Sequence, residues 1–458
     1  KIHNFFWLFS LDLKSPKKEI QKIISLWIEK NYNYNYKIWE NDILAKRLLS
    51  WISNSPLTYE EATEKYKDQF NFIIKKQVNH LINEIDRSDL VDDKLISCAA
   101  IILCGLSFNE KKYLDFGFIL LNKIINSALD NLGFPKSRNF RQLIFYLKYF
   151  ILIREFLKES QTEIPDNLNE VIYHLGGGYN LIWQSKNINF LFNGNHDSNH
   201  SDLDLYLKLN DYKFKNASRE IGGYNFFNNK NYFIVVDTGN APEKKFSENY
   251  QAGPLSFEIT FSGQKLITNS GYFQKNNHQL HKISKSTANH STLSVNNTSA
   301  VRFIKNKDNK YLIEKNFKIN NKKIISEENY WCVSAAHDGY LKQYGVIHER
   351  KIEFFPDKNN LIGTDILSRK KTNKYLPFEI RFHLFPSTKV TKTQDGNSIL
   401  IEIGNSGWKF TSKNHLIGIE TGLYFGYKNN YTENQNIFIS EELKDKSHKV
   451  VWMIEKIQ

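Results

Sequence analysis

The sequence has few cysteines and no long hydrophobic run, and these absences limit what the protein can be. Only 3 of its 458 residues are cysteine. Cys98 and Cys104 lie in one apolar helical run and project from different faces, so we predict buried thiols rather than a disulfide. The strongest apolar run, Leu95 to Leu106, is too short to cross a bilayer, so no transmembrane segment is expected.

Signatures of nucleic-acid binding are also absent. The chain carries 62 Lys and Arg against 49 Asp and Glu, a net charge of +13. A basic balance favours polyanionic partners such as nucleic acid, anionic lipid or acidic polysaccharide. The basic residues are spread thinly, however, and no zinc-finger spacing, aromatic nucleic-acid motif or basic heptad accompanies them. We therefore expect no nucleic-acid partner, and the sequence leaves the oligomeric state open.

What is present is the composition of a globular protein. Hydrophobic residues make up 41% of the chain and aromatic residues 14%, which suits one large or two ordinary cores. The chain begins with Lys and shows no signal-peptide pattern, so the sequence alone leaves its compartment open.

The first part of the chain is predicted to be helical. Thr58 with Glu61 forms a candidate capping box for a long helix that runs to about Ile85. The triplet Gly176–Gly178 reads as a breaker and hinge, so we place a helical domain over residues 1–178, arranged as an antiparallel bundle, array or α/α toroid of helical hairpins. Apolar residues at helical spacing predict helices near 16–28, 43–52, 58–85, 93–106, 111–129, 140–157 and 165–173.

Strand patterns dominate the remainder. Ser262-Gly263 between two apolar runs predicts a hairpin. Many such runs separated by Asn, Gly and Asp predict a large antiparallel β-sandwich over residues 179–458. We expect any active site to lie where the helical and β-rich parts meet. The predicted strands cover 231–236, 255–260, 265–268, 291–295, 330–335, 351–355, 398–403 and 416–421.

Several local motifs carry chemical information. Asn79 and His80 are adjacent within a predicted helix, where an amide could bind a substrate carboxylate and an imidazole could carry a proton. Considered alone, the pair is more typical of an ordinary polar helix face. Further motifs lie in the β-rich part, at Tyr250–Glu258, Leu266–Gly271 and Ser286–Leu293.

In this order and at these spacings the motifs resemble the heparinase II/III-like polysaccharide lyases, most specifically from about Gly222 to Pro386. The resemblance implies a helical toroid followed by an antiparallel β-sandwich. It also implies cleavage of an acidic, uronate-containing polysaccharide by β-elimination. In that reaction one group neutralises the sugar carboxylate, a base removes the neighbouring carbon-bound proton, and an acid, usually Tyr, protonates the leaving oxygen. The resemblance further suggests a periplasmic or envelope setting, with a cytoplasmic one still open.

The resemblance assigns roles to individual residues of the helical part. Asn79 and His80 match the family's Asn-His pair that contacts the substrate carboxylate. The acid Tyr should follow Gly133-Phe134-Pro135, but that segment contains no Tyr. Tyr146, with Tyr149 beside it, is therefore the nearest candidate acid, against the simpler interpretation that both rings pack in a core.

Further assignments fall on Arg138 and on the β-rich part. Arg138 is a candidate clamp for the substrate carboxylate. The catalytic His of relatives aligns near Asn249, which cannot act as a base. We predict that Asn249, Tyr250 and Gln251 contact the substrate.

The resemblance also implies a zinc position that this sequence has altered. His290 matches a zinc-binding His, but Gln251 and Asn269 stand where relatives have His and Asp. Zinc favours His, Cys and carboxylate ligands, and two amides are poor substitutes. We therefore expect no zinc and no other cofactor, and predict that His290 hydrogen-bonds to Gln251 and Asn269 instead.

Two functions follow from these motifs. The leading one is a lyase acting on an acidic polysaccharide, and the alternative is a non-catalytic carbohydrate-binding or envelope-associated protein on the same scaffold. The positions of the two tyrosines distinguish them. Tyr146 or Tyr149 within reach of His80 favours the enzyme, whereas core packing of both favours the binding protein.

Overall fold

Helices come first along the chain and antiparallel strands follow them. The structure is a computed structural model and describes residues 2–183, 189–197, 200–371, 375–428 and 430–457. The order of elements confirms the predicted fold class of a helical region followed by antiparallel sheets. The chain divides into two compact units: unit 1 is Lys1–Gly133 with Gln142–Gly176, and unit 2 is Phe134–Arg141 with Gly177–Gln458.

The helices follow the predicted periodicity closely. The first begins directly after Pro16, whose fixed φ suits the start of a helix. The α-helices of the described chain are α1 (Lys17–Asn31), α2 (Asn41–Ser53), α3 (Ser55–Thr58), α4 (Glu64–Glu84), α5 (Val91–Ser107), α6 (Lys111–Ala128), α7 (Phe140–Glu159), α8 (Asp166–Trp183), α9 (Ser201–Leu209), α10 (Gln279–Ser284) and α11 (Leu341–Tyr344).

Helix α5 is the most deeply buried helix segment of unit 1. Its residues from Leu95 to Gly105 are all buried, which explains the unbroken apolar run. Cys98 and Cys104 are fully buried free thiols, as predicted. Among the described residues, no helix is both long enough and apolar enough to span a membrane.

The predicted capping box is wrong. Thr58 ends α3, and its hydroxyl donates to the Trp51 carbonyl oxygen at 2.6 Å. The long helix α4 starts later and is capped by Thr63, whose hydroxyl accepts a hydrogen bond from the Tyr66 backbone N–H. Threonine is a favoured N-cap residue at both positions, and the hydrogen bond of Thr58 to Trp51, seven residues earlier, decides between them.

The prediction that Gly176–Gly178 breaks the helix is also wrong, because α8 runs through all three glycines. A glycine inside a helix costs only about 1 kcal/mol relative to alanine. Here its lack of a side chain has a use. A Cβ on Gly177 would lie 2.9 Å from the Lys215 carbonyl oxygen, and the Ala217 backbone N–H donates to the Gly177 carbonyl at 3.1 Å.

Unit 2 is built from antiparallel strands joined by short turns. Ser262 and Gly263 both have positive φ and form the predicted hairpin turn. The strands are β1 (Glu220–Ile221), β2 (Tyr224–Asn228), β3 (Tyr232–Asp237), β4 (Phe257–Phe261), β5 (Gln264–Ile267), β6 (Leu293–Val295), β7 (Arg302–Lys305), β8 (Tyr311–Lys315), β9 (Ile319–Ser326), β10 (Trp331–His337), β11 (Val346–Phe355), β12 (Asn360–Arg369), β13 (Leu376–His383), β14 (Lys389–Lys392), β15 (Ser398–Ile403), β16 (Ser406–Ser412), β17 (Ile417–Tyr424), β18 (Thr432–Leu443) and β19 (Ser447–Lys456).

Three of the sheets share one apolar core, and β7 and β8 form a separate two-stranded sheet. The largest has the order β14-β15-β16-β19-β12-β11-β10-β9, and it shares the core with the sheet β17-β18-β13-β6. A third sheet, β1-β2-β3-β4-β5, adds its own apolar residues. In β11 and β12 buried and partly exposed residues alternate, as expected for strands with one face on a core.

Candidate functional site

One face of α4 forms the floor of a groove on unit 1. The opposite face, which includes Ile73, Ile74 and Val78, is fully buried. Phe72 belongs to the groove and not to the buried face, because its side chain is 55% exposed. Residues three and four apart share a helix face, and the groove residues of α4 follow that spacing: Phe72, Lys75, Lys76, Asn79, His80 and Asn83.

The loop between α1 and α2 brings aromatic rings to this face. Its sequence alternates asparagine and tyrosine from Asn31 to Tyr36. The Trp39 ring meets the His80 ring edge-on, with centroids 5.2 Å apart. Tyr34, which is 64% exposed, lies with its ring centroid 5.2 Å from that of His80 on another side. The imidazole therefore lies between two aromatic rings.

The groove has a volume of about 590 Å³ and combines rings, cations and amides. Lys76 Nζ lies 3.7 Å from the centroid of the Tyr32 ring and donates to the Tyr32 carbonyl oxygen at 2.8 Å, which holds the loop to α4. Lys75 is exposed. Exposed aromatic faces beside cations can bind the apolar face of a sugar ring that carries an acidic group.

The environment of His80 favours its neutral form. Burial lowers the pKa of the imidazole, while Glu84 raises it and Arg87 lowers it by smaller amounts. Neighbouring Asn79 is exposed, and its Oδ1 accepts a hydrogen bond from the Tyr113 hydroxyl at 3.2 Å. The amide N–H groups of Asn79 then point away from that contact and can donate to a ligand carboxylate.

The two candidate acids lie elsewhere in unit 1. Tyr146 is 2% exposed, and burial together with a hydrogen bond to Asp92 raises the pKa of its phenol well above the ordinary value. Tyr149 is half-buried, and burial and Asp42 raise its pKa to about 12. Neither residue lines the groove at α4, so the geometry gives no support to an acid role for Tyr146.

Arg138 lies in unit 2 with its guanidinium occupied by protein acceptors. It adopts a left-handed φ of 61° and is 6% exposed. Its Nη2 donates to Asp237 Oδ1 at 2.6 Å, and the planar group lies 4.6 Å from the centre of the Tyr224 ring. The guanidinium also donates to the carbonyl oxygens of Gly222, Gly239 and Asn240. These contacts assign Arg138 a structural role in place of the predicted substrate clamp.

The predicted contact residues 249–251 form a largely buried loop in unit 2. Asn249 is half-buried and accepts a hydrogen bond from the Tyr272 hydroxyl at 3.1 Å. Tyr250 is completely buried. The Gln251 side chain is also buried, and it bonds backbone groups at 2.7–3.0 Å in three residues: Gly194, Gly271 and Ser284. Tyr250 and Gln251 therefore hold the loop in place, and of the three only Asn249 has an accessible side chain.

The altered zinc position is not held together as predicted. Asn269 Oδ1 accepts from the Ser291 backbone N–H at 2.9 Å. His290 Nδ1 bonds the Ser286 carbonyl oxygen at 2.9 Å, so the predicted bonds from His290 to Gln251 and Asn269 are wrong. Burial lowers the pKa of His290 to about 3. His290 Nε2 is buried without a hydrogen-bond partner among the described residues. The amide oxygens of Gln251 and Asn269, however, already accept from backbone N–H groups, so His290 is the one ligand of the three that is free and the set does not fit a zinc ion.

Unit 2 has a cavity of about 620 Å³ of its own. Arg302, Lys315, Lys318 and Lys342 make its lining basic. Among its described lining residues the one aromatic ring, Phe317, is only 2% exposed. This cavity offers positive charge without an accessible aromatic face, so the groove at α4 is the better candidate for a sugar-binding site.

Several groove residues are not predicted from the sequence. Tyr34, Trp39 and the two lysines of α4 belong to no motif, yet they surround Asn79 and His80. The signal that could have found Tyr34 is the Asn-Tyr alternation between two predicted helices. Loops often carry binding residues, and exposed aromatic rings supply contact area for a ligand.

Comparison with known proteins agrees with this architecture. The family model described as "Heparinase II/III-like, C-terminal" matches residues 216–453, just over half of the chain. The chain therefore belongs to the heparinase II/III-like family.

Individual relatives are distant. The chain is 22% identical over 475 residues to FtsZ-localized protein C of Caulobacter vibrioides, a match covering 100% of this chain and 81% of that protein. Among solved structures it resembles a mutant of the heparan sulfate lyase HepC of Pedobacter heparinus, with a TM-score of 0.79, 14% identity, and coverage of 100% and 76%. A heparinase III structure gives a TM-score of 0.78, 16% identity, and coverage of 99% and 78%. These likenesses confirm the fold of toroid-type helices followed by a β-sandwich.

Proposed function

We propose that the chain binds an acidic, uronate-containing polysaccharide in the groove at α4. The observation that carries this proposal is the placement of exposed rings and lysines around Asn79 and His80. Membership of a polysaccharide lyase family supports a carbohydrate ligand. The net charge of +13 is compatible with a polyanion, although it does not select one.

Each part of the groove has a distinct task in this proposal. Tyr34 and Phe72 present exposed ring surface on which the apolar face of a sugar packs. Lys75 supplies the exposed cation for the carboxylate, while Lys76 mainly holds the tyrosine loop. Asn79 donates a hydrogen bond to the same carboxylate and makes recognition directional.

A second candidate function is cleavage by β-elimination, and the proximity of Tyr34 to His80 favours it. His80, neutral because burial lowers its pKa, removes the carbon-bound proton next to the sugar carboxylate. Asn79 stabilises the charge that develops there. The released electron pair forms the carbon–carbon double bond, the glycosidic carbon–oxygen bond breaks, and the leaving oxygen takes a proton from the Tyr34 phenol.

Residues that do not line the groove support binding without cleavage. The side-chain amides of Gln251 and Asn269 form hydrogen bonds with backbone groups. Asn249 stands where relatives have a catalytic His. Tyr146 is packed in unit 1. The Caulobacter relative is named for its localisation with FtsZ rather than for an activity. A periplasmic or envelope setting is part of the proposal in either case, and cell fractionation tests it.

The experiment is a polysaccharide panel with two readouts. Heparan sulfate, chondroitin sulfate, polygalacturonate and alginate are titrated against the chain by calorimetry, with neutral dextran as the control. The same mixtures are followed by absorbance of unsaturated uronate. Binding of at least one acidic polymer but not dextran is expected. Product formation that His80→Ala abolishes identifies the lyase, and binding without product identifies the binding protein. Failure of every acidic polymer to bind contradicts the proposal.

A further inference from the structure

Three inward-facing positions at one edge of the unit 2 core hold polar residues. In β18, Glu441 lies between Ile439 and Leu443, alternate residues that both point into the core. In β19, His448 continues the alternation of Val450 and Trp452, which also face the core. Side chains two apart on a strand share a face, so Glu441 and His448 project toward the interior.

The third residue comes from the turn before β17. His415 lies two positions before Ile417, which is buried in the same core. Its Nδ1 lies 2.9 Å from Glu441 Oε1, and its ring centroid is 5.8 Å from that of His448. One nitrogen of each histidine and one carboxylate oxygen of Glu441 all lie within 4.8 Å of one another.

Cross-strand neighbours confirm that this is the core side of both sheets. His448 pairs with Leu367 of β12, and Glu441 pairs with Phe378 of β13. Leu367 and Phe378 are each 1% exposed. The Phe378 ring lies 5.3 Å from the His448 ring. The three polar side chains are half-buried and are backed by apolar side chains, where an unpaired polar group is costly.

A hydrogen-bonded pair alone does not account for the cluster. His415 and Glu441 satisfy each other, but His448 Nε2 is buried and has no hydrogen-bond partner among the described residues. If the cluster served packing only, an apolar residue at position 448 would continue the β19 pattern without that penalty. A bound cation that accepts lone pairs from both imidazoles and the carboxylate would satisfy all three side chains.

We propose that His415, Glu441 and His448 bind a divalent transition metal, with zinc as the best match. Two imidazoles and one carboxylate are a ligand set that zinc favours, and zinc can take water or another ligand at a fourth position. Tetrahedral ligands at zinc distances lie about 3.3 Å apart, so the side chains need only small rotations to close on the ion. This site is separate from the altered family position at His290 and independent of the polysaccharide proposal.

The expected role is to join two sheets. β18 belongs to the sheet β17-β18-β13-β6, whereas β19 belongs to the eight-stranded sheet. The connection between them is only Lys444-Asp445-Lys446, so the ion would fasten the corner where the chain crosses from one sheet to the other. Metal that binds only the folded state stabilises it.

The test is zinc titration of the full chain after treatment with a chelator. A chromophoric chelator competes for the ion, Co²⁺ reports coordination by its visible absorption, and Tm is recorded with and without zinc. We expect one zinc per chain and a higher Tm. His448→Gln should lower zinc affinity by at least about tenfold, since even indirect ligand partners cost 10- to 100-fold, and should abolish the Tm increase. His448→Cys, which restores a zinc ligand, should retain both.

Matched controls exclude other histidines. His174 in unit 1 faces Glu170 at 3.8 Å on an exposed helix turn, with no third metal-binding side chain beside them in the described part of the chain, so His174→Gln should bind zinc as the unmodified chain does. His448→Gln leaves His290 unchanged. Zinc binding that survives in His448→Gln, or absence of stoichiometric binding in the unmodified chain, overturns the proposal. If His448→Gln is unfolded by circular dichroism, Glu441→Gln provides the same comparison.

Discussion

The rings of Tyr34 and His80 lie 5.2 Å apart on two separate elements of unit 1. His80 is a motif residue on α4, and Tyr34 is an exposed residue of the Asn-Tyr loop before α2. Their proximity turns an isolated Asn-His pair into a groove with an accessible aromatic wall. Polysaccharide binding and cleavage, as proposed, both use this pair of residues.

Charge recognition in the groove is tested by Lys75→Ala. Lys75 is exposed and does not hold the loop, so its removal should weaken binding of an acidic polysaccharide by roughly fivefold, about 1 kcal/mol for an exposed ion pair. The difference should shrink as salt is raised, because exposed charges are screened. Calorimetry at low and high salt measures both effects.

The matched control for this variant is Lys65→Ala. Lys65 is also an exposed lysine of α4 but lies outside the groove. Equal losses in the two variants would show that net charge, not the groove, governs binding.

The direction in which two charged neighbours shift the pKa of His80 can be predicted. Burial places its pKa below 6.5, Glu84 raises it and Arg87 lowers it. Glu84→Gln should therefore lower the pKa further, and Arg87→Gln should raise it. NMR titration of the imidazole measures the pKa without requiring activity, and any acid limb of cleavage should move with it. A pKa above 6.5 in the unmodified chain would contradict the buried, neutral imidazole.

The helices were predictable from local pattern, but where they begin and end depended on contacts outside that pattern. The predicted helix starts near Thr58 in the sequence, yet Thr63 caps α4 because Thr58 is bonded to Trp51. Gly176–Gly178 has the composition of a breaker, but a neighbouring backbone packs against Gly177 and the helix continues. Both errors arise where a contact outside the local pattern decides the outcome: Thr58 bonds Trp51, seven residues earlier, and Gly177 lies against Lys215, far along the chain.

The residues of the site likewise fall into two groups, those that a motif predicts and those that only the fold brings together. Asn79 and His80 could be found from a motif, whereas Tyr34 and Trp39 could not, since only the fold brings their loop to α4. Tyr146 has helical spacing that suits either a core or a site, and its burial decides the matter. Sequence spacing says which face a side chain occupies but not what covers that face.

The structural role of Arg138 is tested through its partner. Asp237→Ala leaves the buried guanidinium without its 2.6 Å ion pair, and breaking a buried pair costs about 3–5 kcal/mol of unfolding free energy. Urea denaturation measures the change. Glu243→Ala removes an exposed partner of Lys245 in the same unit and should cost at most about 1 kcal/mol. Similar small losses in both variants would refute a structural role for the Arg138 pair.

The most direct measurement of the groove proposal compares two tyrosines of one loop. Tyr34 lines the groove, while Tyr36 is 63% exposed and does not. Calorimetric titration of the acidic polymer that binds the unmodified chain is repeated with Tyr34→Ala and Tyr36→Ala. We predict a loss of roughly three- to tenfold for Tyr34→Ala, the range of about 0.5–1.5 kcal/mol for an aromatic contact, and an unchanged affinity for Tyr36→Ala. Unchanged affinity in Tyr34→Ala, or an equal loss in both, would contradict the assignment of the groove as the polysaccharide site.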